Sequence, residues 1–283
     1  DCSSRGLGDV YKRQKRNAIR LSRRPKKKVI TKDYFINESS GIKIREYEPY
    51  ATDNENIILY FHGGGYVLNS IDTHDTTVSY FSEKLRTKVF SLAYSLSPEK
   101  KFPFATNEAI AALNWLTKNG YLMENISLCG DSAGAHLAAS VVHSLAFDNK
   151  KNVNSQFLIY PMCDPGCSSE SFEIFKDGYS LTKDAMIWFW DKFKNNKHDD
   201  FNDAFNLLLL DTNNKFPRTI IVTAGFDPLV DEAEKYASLL HEKGIFVKQL
   251  HYPSLFHGFA SMTRLKSANK AVNDFLSEYK KML

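Results

Sequence analysis

The stretch NISLCGDSAGAHLAASVVHSLAF, residues 125–147, decides the fold. It opens with a short apolar run, turns through a serine set between two glycines, and continues at once into small and apolar residues. The run Ile126–Cys129 suits a strand buried on both faces of a mostly parallel sheet. The residues from Ser132 onward suit a helix held tightly against that sheet. Between them, Gly130-Asp131-Ser132-Ala133-Gly134 is a G-x-S-x-G pattern. Alone the pattern is weak. Between a buried strand and a helix it reads as a nucleophile elbow, where a sharp turn lifts the serine hydroxyl above the sheet. The competing reading is a serine that only caps the helix.

Strand-like and helix-like segments alternate to either side. VITKDYFIN (29–37) and IKIREY (42–47) alternate apolar and polar residues, as half-buried antiparallel strands do. NIILYF (56–61), KVFSLAY (88–94), SQFLIYP (155–161), RTIIVTAG (218–225) and FVKQLHYP (246–253) read as further strands. Helices are expected over about 73–86, 103–118, 229–243 and 269–283, the third ending at Gly244 in a C-cap position. The alternation predicts an α/β fold: a mostly parallel, eight-stranded sheet with helices on both faces. The rhythm breaks from about 163 to 216. There KDAMIWFWDKF (183–193) reads as a helix with Met186, Phe189, Trp190 and Phe193 on one face. An insertion of this size reads as a lid or cap on a single domain spanning 29–283.

The composition is that of a water-soluble globular chain: 283 residues, 43% hydrophobic and 25% charged. No apolar run is long enough for a membrane span. The net charge of +4 is unevenly placed, because residues 1–28 hold eleven lysines and arginines against two aspartates. RRPKKK (23–28) therefore reads as a solvated basic tail, with phosphate binding or targeting as the rival reading. The first stretch, DCSSRGLGDVYKRQ, has no periodicity and resembles adapter read-through more than native protein, so no element is expected in it. The four cysteines, Cys2, Cys129, Cys163 and Cys167, are too few for a disulfide framework and lack nearby partners for a metal site. Cytoplasmic residence is the expectation that follows, with no metal and no cofactor.

A serine hydroxyl needs a base to take its proton. Among eight histidines, His257 in PSLFHGF follows the last strand, at the end of the sheet where such sites form. His136, His143 and His241 fall on helices, His251 falls inside a strand, and His198 lies in the polar part of the insertion. The base in turn needs an acid. Asp227 directly follows a buried strand and is the preferred candidate over Asp231, which sits with Glu232 in the first helical turn, where acids favour the dipole. Ser132, Asp227 and His257 then run in the chain order of α/β-hydrolases. HGGG (62–65) follows the strand NIILYF and lies upstream of the elbow. Its glycines let backbone N–H groups approach a substrate oxygen. Gly63 and Gly64, with the N–H of Ala133, are the expected oxyanion donors, and His62 is expected to orient the loop. A phosphate-binding loop would need a following Gly-Lys-Ser/Thr, which is missing.

Together, HGGGY (62–66), YSLSPEKKFP (94–103), GDSAG (130–134), TAGFDPLVDEA (223–233) and HGF (257–259) resemble the hormone-sensitive-lipase-like family of α/β-hydrolase esterases, also called bacterial family IV. The resemblance runs from about residue 40 to the end. It implies cofactor-free serine hydrolysis of small carboxylic esters with short to medium acyl chains, and often a homodimer. It makes SLTKDAMIWFWDKF (180–193) the cap helix roofing the acyl pocket, with Trp188 and Phe189 on it as substrate-binding candidates. Asp131 and Tyr160 match positions lining the site in relatives, and Gly65 is a further substrate-binding candidate. Two departures stand out. The region before residue 29, which completes the cap in relatives, is short and basic, and YSLSPE lacks the usual arginine and alanine. Two other classes compete: a non-catalytic small-molecule receptor of the same fold, which typically lacks the histidine, and a nucleic-acid or membrane-surface binder using the basic tail. Among enzymes, an amidase or a deacetylase would share the same triad.

Overall fold

The computed structural model describes residues 21–36, 41–146, 153–210 and 216–283. DCSSRGLGDVYKRQ and the basic tail up to residue 20 lie outside the described residues.

The eight expected strands are β1 (Val29–Phe35), β2 (Lys43–Pro49), β3 (Ile57–Phe61), β4 (Lys88–Ala93), β5 (Ile126–Asp131), β6 (Ser155–Ile159), β7 (Arg218–Phe226) and β8 (Val247–Phe256). They form one sheet in the order β1-β2-β4-β3-β5-β6-β7-β8. The β1–β2 and β2–β4 pairs are antiparallel and all others parallel. Only β1 departs from its expected half-burial. Most of its residues are exposed, because it is an edge strand paired on one side only, with Val29 and Tyr34 as its contacts to the core.

The helices are α1 (Ile71–Leu85), α2 (Phe104–Lys118), α3 (Ala133–Ala146), α4 (Glu170–Ile174), α5 (Lys183–Phe193), α6 (Val230–Glu242) and α7 (Lys266–Lys280). Pro103 stands just before α2 rather than in its first turn. The closing helix starts three residues before its apolar pattern becomes visible, at Lys266.

The pleat of β3 divides the core. Ile57, Leu59 and Phe61 face one layer with α2, α3, α6 and the 163–216 segment. Ile58 and Tyr60 face the other, where Val78 and Phe81 of α1 meet Val272, Phe275 and Tyr279 of α7. Strands covered on both faces explain the continuous apolar runs of β3 and β5. The parallel strands also end together, so the loops after β3, β5, β7 and β8 gather at one end of the sheet.

Candidate active site

Ser132 stands at the corner between β5 and α3 with a φ of 55°. That is left-handed backbone, costly for a residue with a Cβ, and it is held from both sides. Its N–H donates to Ile159 O at 2.9 Å, and its carbonyl accepts from Ala135 and His136 N–H at 3.0 Å each. The corner needs Gly134, because a Cβ there would lie 2.0 Å from the carbonyl oxygen of Phe61. α3 thus approaches β3 at backbone distance.

β8 delivers His257 to the same place. Its Nε2 lies 2.9 Å from Ser132 Oγ, and its Nδ1 lies 2.7 Å from Asp227 Oδ2. An ionised carboxylate only accepts, so Nδ1 carries the proton and the Nε2 lone pair faces the serine. Asp227, at the end of β7, is fully buried, and its Oδ1 accepts the Leu229 N–H at 3.0 Å. The rival acid, Asp231, is turned away and accepts the Ser171 N–H at 2.7 Å. Among the other candidate bases, His136 and His143 are buried beneath α3 with partners of their own.

The glycine loop differs from expectation at one residue. The Gly63 N–H donates to Asp131 Oδ1 at 3.0 Å, so it is not available to a substrate. The N–H groups of Gly64, Gly65 and Ala133 make no hydrogen bond within the described residues. Gly64 and Gly65 line the cavity over Ser132, whereas Gly63 does not. Asp131 is the loop's anchor: it also accepts from Tyr60 Oη at 2.6 Å and faces His74 Nε2 at 3.4 Å. Burial pushes its carboxyl up, but His74 and the Tyr60 hydroxyl outweigh that and hold it below the ordinary value. His62 lies buried behind the loop, stacked on Tyr94 at 4.3 Å, with Nδ1 2.9 Å from Gly63 O.

The cavity, of about 160 Å³, has Ser132 and His257 in its lining. One part of its wall is apolar, with Leu181, Met186, Phe189 and Met262; another is polar, with Asn69, Thr73, His74 and Ser261. Tyr160 and Asp131 are in the lining as expected. Tyr160 sets its ring 4.6 Å from that of His257, and burial drives its hydroxyl pKa well up. Trp188 is not in the lining. It sits one position off the buried stripe of α5, T-shaped against Phe189, and Met186 lines the wall instead. Phe189 lies directly on the glycine loop: a Cβ at Gly65 would fall 2.2 Å from its ring. Asn69, Thr73 and His74 had no motif to mark them; they reach the cavity because α1 begins just after the glycine loop. Among the described residues no cluster of three or more metal-ligating side chains occurs.

The sequence matches the α/β hydrolase fold family over residues 58–261. It is 32% identical over 248 residues to the carboxylic ester hydrolase LipN of Mycobacterium tuberculosis, covering 83% of this chain and 66% of that one, just under two thirds. With the arylesterase of Saccharolobus solfataricus it shares 32% identity over 259 residues, 89% of this chain and 84% of the relative. The thermostable carboxylesterase EstE1, cloned from a metagenomic library, superposes with a TM-score of 0.89 at 30% identity, covering 100% of this chain and 98% of that one. The hyperthermophilic esterase of Pyrobaculum calidifontis superposes with a TM-score of 0.88 at 29% identity, covering 100% and 94%. The chain belongs to the α/β-hydrolase fold family, in its hormone-sensitive-lipase-like branch of ester hydrolases.

Proposed function

We propose that this member of the family is a serine carboxylesterase acting on small esters with short to medium acyl chains. The observation that carries the reading is the continuous array from Asp227 Oδ2 through His257 to Ser132 Oγ, at 2.7 and 2.9 Å. Ser132 Oγ attacks the ester carbonyl carbon while His257 Nε2 takes its proton. Asp227 stabilises the imidazolium through Nδ1–H. The N–H groups of Gly64, Gly65 and Ala133 hold the tetrahedral oxyanion; Gly63 serves by fixing the loop to Asp131. His257 then protonates the leaving alkoxide, and an acyl group remains on Ser132. Water, deprotonated by His257, releases the acid by the same steps in reverse order.

The segment from about 163 to 216 is the cap on the 29–283 domain, and its Leu181, Met186 and Phe189 form the apolar wall against the acyl chain. Residues 1–28 are the tail that precedes that domain. Among the described residues no helix is long and apolar enough to cross a membrane. Cytoplasmic residence is supported by Cys129, Cys163 and Cys167, all free and buried. Association of two copies is supported by β8, a sheet edge preceded by the exposed Phe246. Amide or sugar-acetyl hydrolysis would use the same array. The receptor reading is disfavoured by His257, which stands at hydrogen-bond distance from Ser132.

The test is a fluorophosphonate probe followed by peptide mapping. A single adduct on Ser132, absent from Ser132→Ala, supports the reading. A folded protein that stays unlabelled, or is labelled elsewhere, contradicts it.

A further inference from the structure

The basic run RRPKKK has no part in ester hydrolysis, yet the fold holds it in one fixed place. The backbone around it is bolted to the domain at both ends. At one end the Arg264 N–H donates to Leu21 O at 2.6 Å, and the Arg23 N–H donates to Thr263 Oγ1 at 2.7 Å. Ser22 Oγ hydrogen-bonds to the carbonyl of Ser261. Ser261 and Met262 line the cavity over Ser132, so this end of the run lies at the cavity rim. At the other end the N–H groups of Lys26 and Lys27 both donate to Glu83 Oε1, at 3.0 and 2.8 Å, at the last turn of α1. The nearby acid is thereby occupied by backbone.

The run is therefore a stripe that starts at the rim and descends along α1. The start of α7 adds Arg264 and Lys266 beside it. Arg23, Arg24, Lys26, Lys28, Arg264 and Lys266 are all exposed, and none forms an ion pair with a carboxylate among the described residues. The body of the chain after residue 28 carries net negative charge, so the stripe is a local feature and not a general surplus.

We propose that this stripe docks the enzyme on an anionic lipid surface, with the cavity rim brought toward the bilayer. Fixed cations attract a negatively charged leaflet within about a Debye length. Apolar side chains sit among them: Leu265, 38% exposed, lies between Arg264 and Lys266, and Ile30, 55% exposed, follows Lys28 closely. Cations interleaved with exposed aliphatic groups suit a headgroup boundary. Single-stranded nucleic acid would require free aromatic faces for base stacking. The exposed aromatic beside the stripe, Tyr50, is covered by Lys27 at 3.8 Å and Arg86 at 5.8 Å. A surface of this kind places the enzyme where membrane-dissolved esters are concentrated.

The experiment is co-sedimentation of the full chain with vesicles of phosphatidylcholine alone and of phosphatidylcholine mixed with phosphatidylglycerol, at low and high sodium chloride. Binding only to the mixed vesicles, and its loss in high salt, is expected. The charge-reversal variant R23E/R24E/R264E should lower the partition coefficient about a hundredfold or more. Its hydrolysis of a water-soluble p-nitrophenyl ester without vesicles should match the wild type, which separates this proposal from the assignment of Ser132. Equal binding to both vesicle types, unchanged binding by the variant, or binding of a single-stranded oligonucleotide with none to vesicles would overturn it.

Discussion

Gly63 donates its N–H to Asp131 Oδ1 at 3.0 Å, joining two residues 68 apart in sequence. Through this bond the residue before the nucleophile fixes the loop that carries the proposed oxyanion donors. The carboxylate is shared with the Tyr60 hydroxyl and His74, all within the buried floor of the site. Loop and elbow are thus positioned as one unit, and a change at Asp131 reaches the oxyanion donors through Gly63.

Asp131→Asn should keep one acceptor but lose the charge that faces His74. The expected result is a kcat lowered about tenfold to a hundredfold with KM little changed. That is less than deletion of a direct oxyanion donor, since Gly63 positions and does not bind. Asp131→Ala should in addition lower stability by about 1–3 kcal/mol, because it leaves buried donors unpaired. Steady-state kinetics and thermal denaturation of both variants check this. An unchanged kcat in Asp131→Ala would remove the anchor from the mechanism.

Sequence alone exposed most of this site, for a local reason. The elbow, the base and the acid each follow a buried apolar strand, and parallel strands deliver those positions to one end of the sheet. Asp227 is separable from Asp231 because it comes directly after β7, while Asp231 lies in the first turn of α6, where an acid has a plainer role. Gly63 departs from the expectation because its N–H is engaged by a side chain 68 residues further along the chain, and three consecutive glycines carry no mark of which one is occupied. Trp188 departs from the expectation for a different reason. The helical stripe of α5 runs through Met186, Phe189, Trp190 and Phe193, and Trp188 lies off it despite its aromatic character. His74 and Asn69 reach the cavity through the entry of α1, which no motif encodes.

Gly65 has a φ of 60°, and a Cβ there would meet the Phe189 ring at 2.2 Å. Gly65→Ala should therefore displace both the loop and α5. A loss of kcat/KM of about a hundredfold is expected. Gly65→Ala combined with Phe189→Ala should recover part of that loss, giving a coupling energy of about 1 kcal/mol or more in a double-mutant cycle. Strict additivity of the two changes would show that the contact is not what restricts residue 65.

Phe189 also bounds the apolar wall. Phe189→Leu should open it by a few carbon atoms. The ratio of kcat/KM for p-nitrophenyl octanoate over butyrate should rise about tenfold, the worth of roughly one or two methylenes in an apolar pocket. An unchanged ratio would place the acyl chain elsewhere in the cavity.

His136 supplies a prediction about pH. Its Nε2–H donates to Phe205 O at 2.9 Å, so Nδ1 accepts from the Tyr66 hydroxyl at 2.6 Å. Burial holds its pKa down at about 4, with the Phe205 carbonyl opposing that effect. The unfolded chain, with an ordinary histidine near 6.5, binds the proton first. Stability from this group is therefore complete above about pH 6.5 and is lost as pH falls toward 4, by about 3 kcal/mol over that window. Wild-type unfolding free energy should fall across it. His136→Gln, which keeps a donor and an acceptor, should show a shallower slope. Equal slopes would mean that other groups carry the acid sensitivity.

The most direct test of the central claim is the turnover of p-nitrophenyl butyrate by the wild type and by Ser132→Ala, both confirmed as folded. Measurable hydrolysis by the wild type and a kcat about a million-fold lower in the variant is the expected result, leaving only what the oxyanion loop and binding provide. Near-normal turnover by Ser132→Ala would contradict the assignment of Ser132 as the nucleophile.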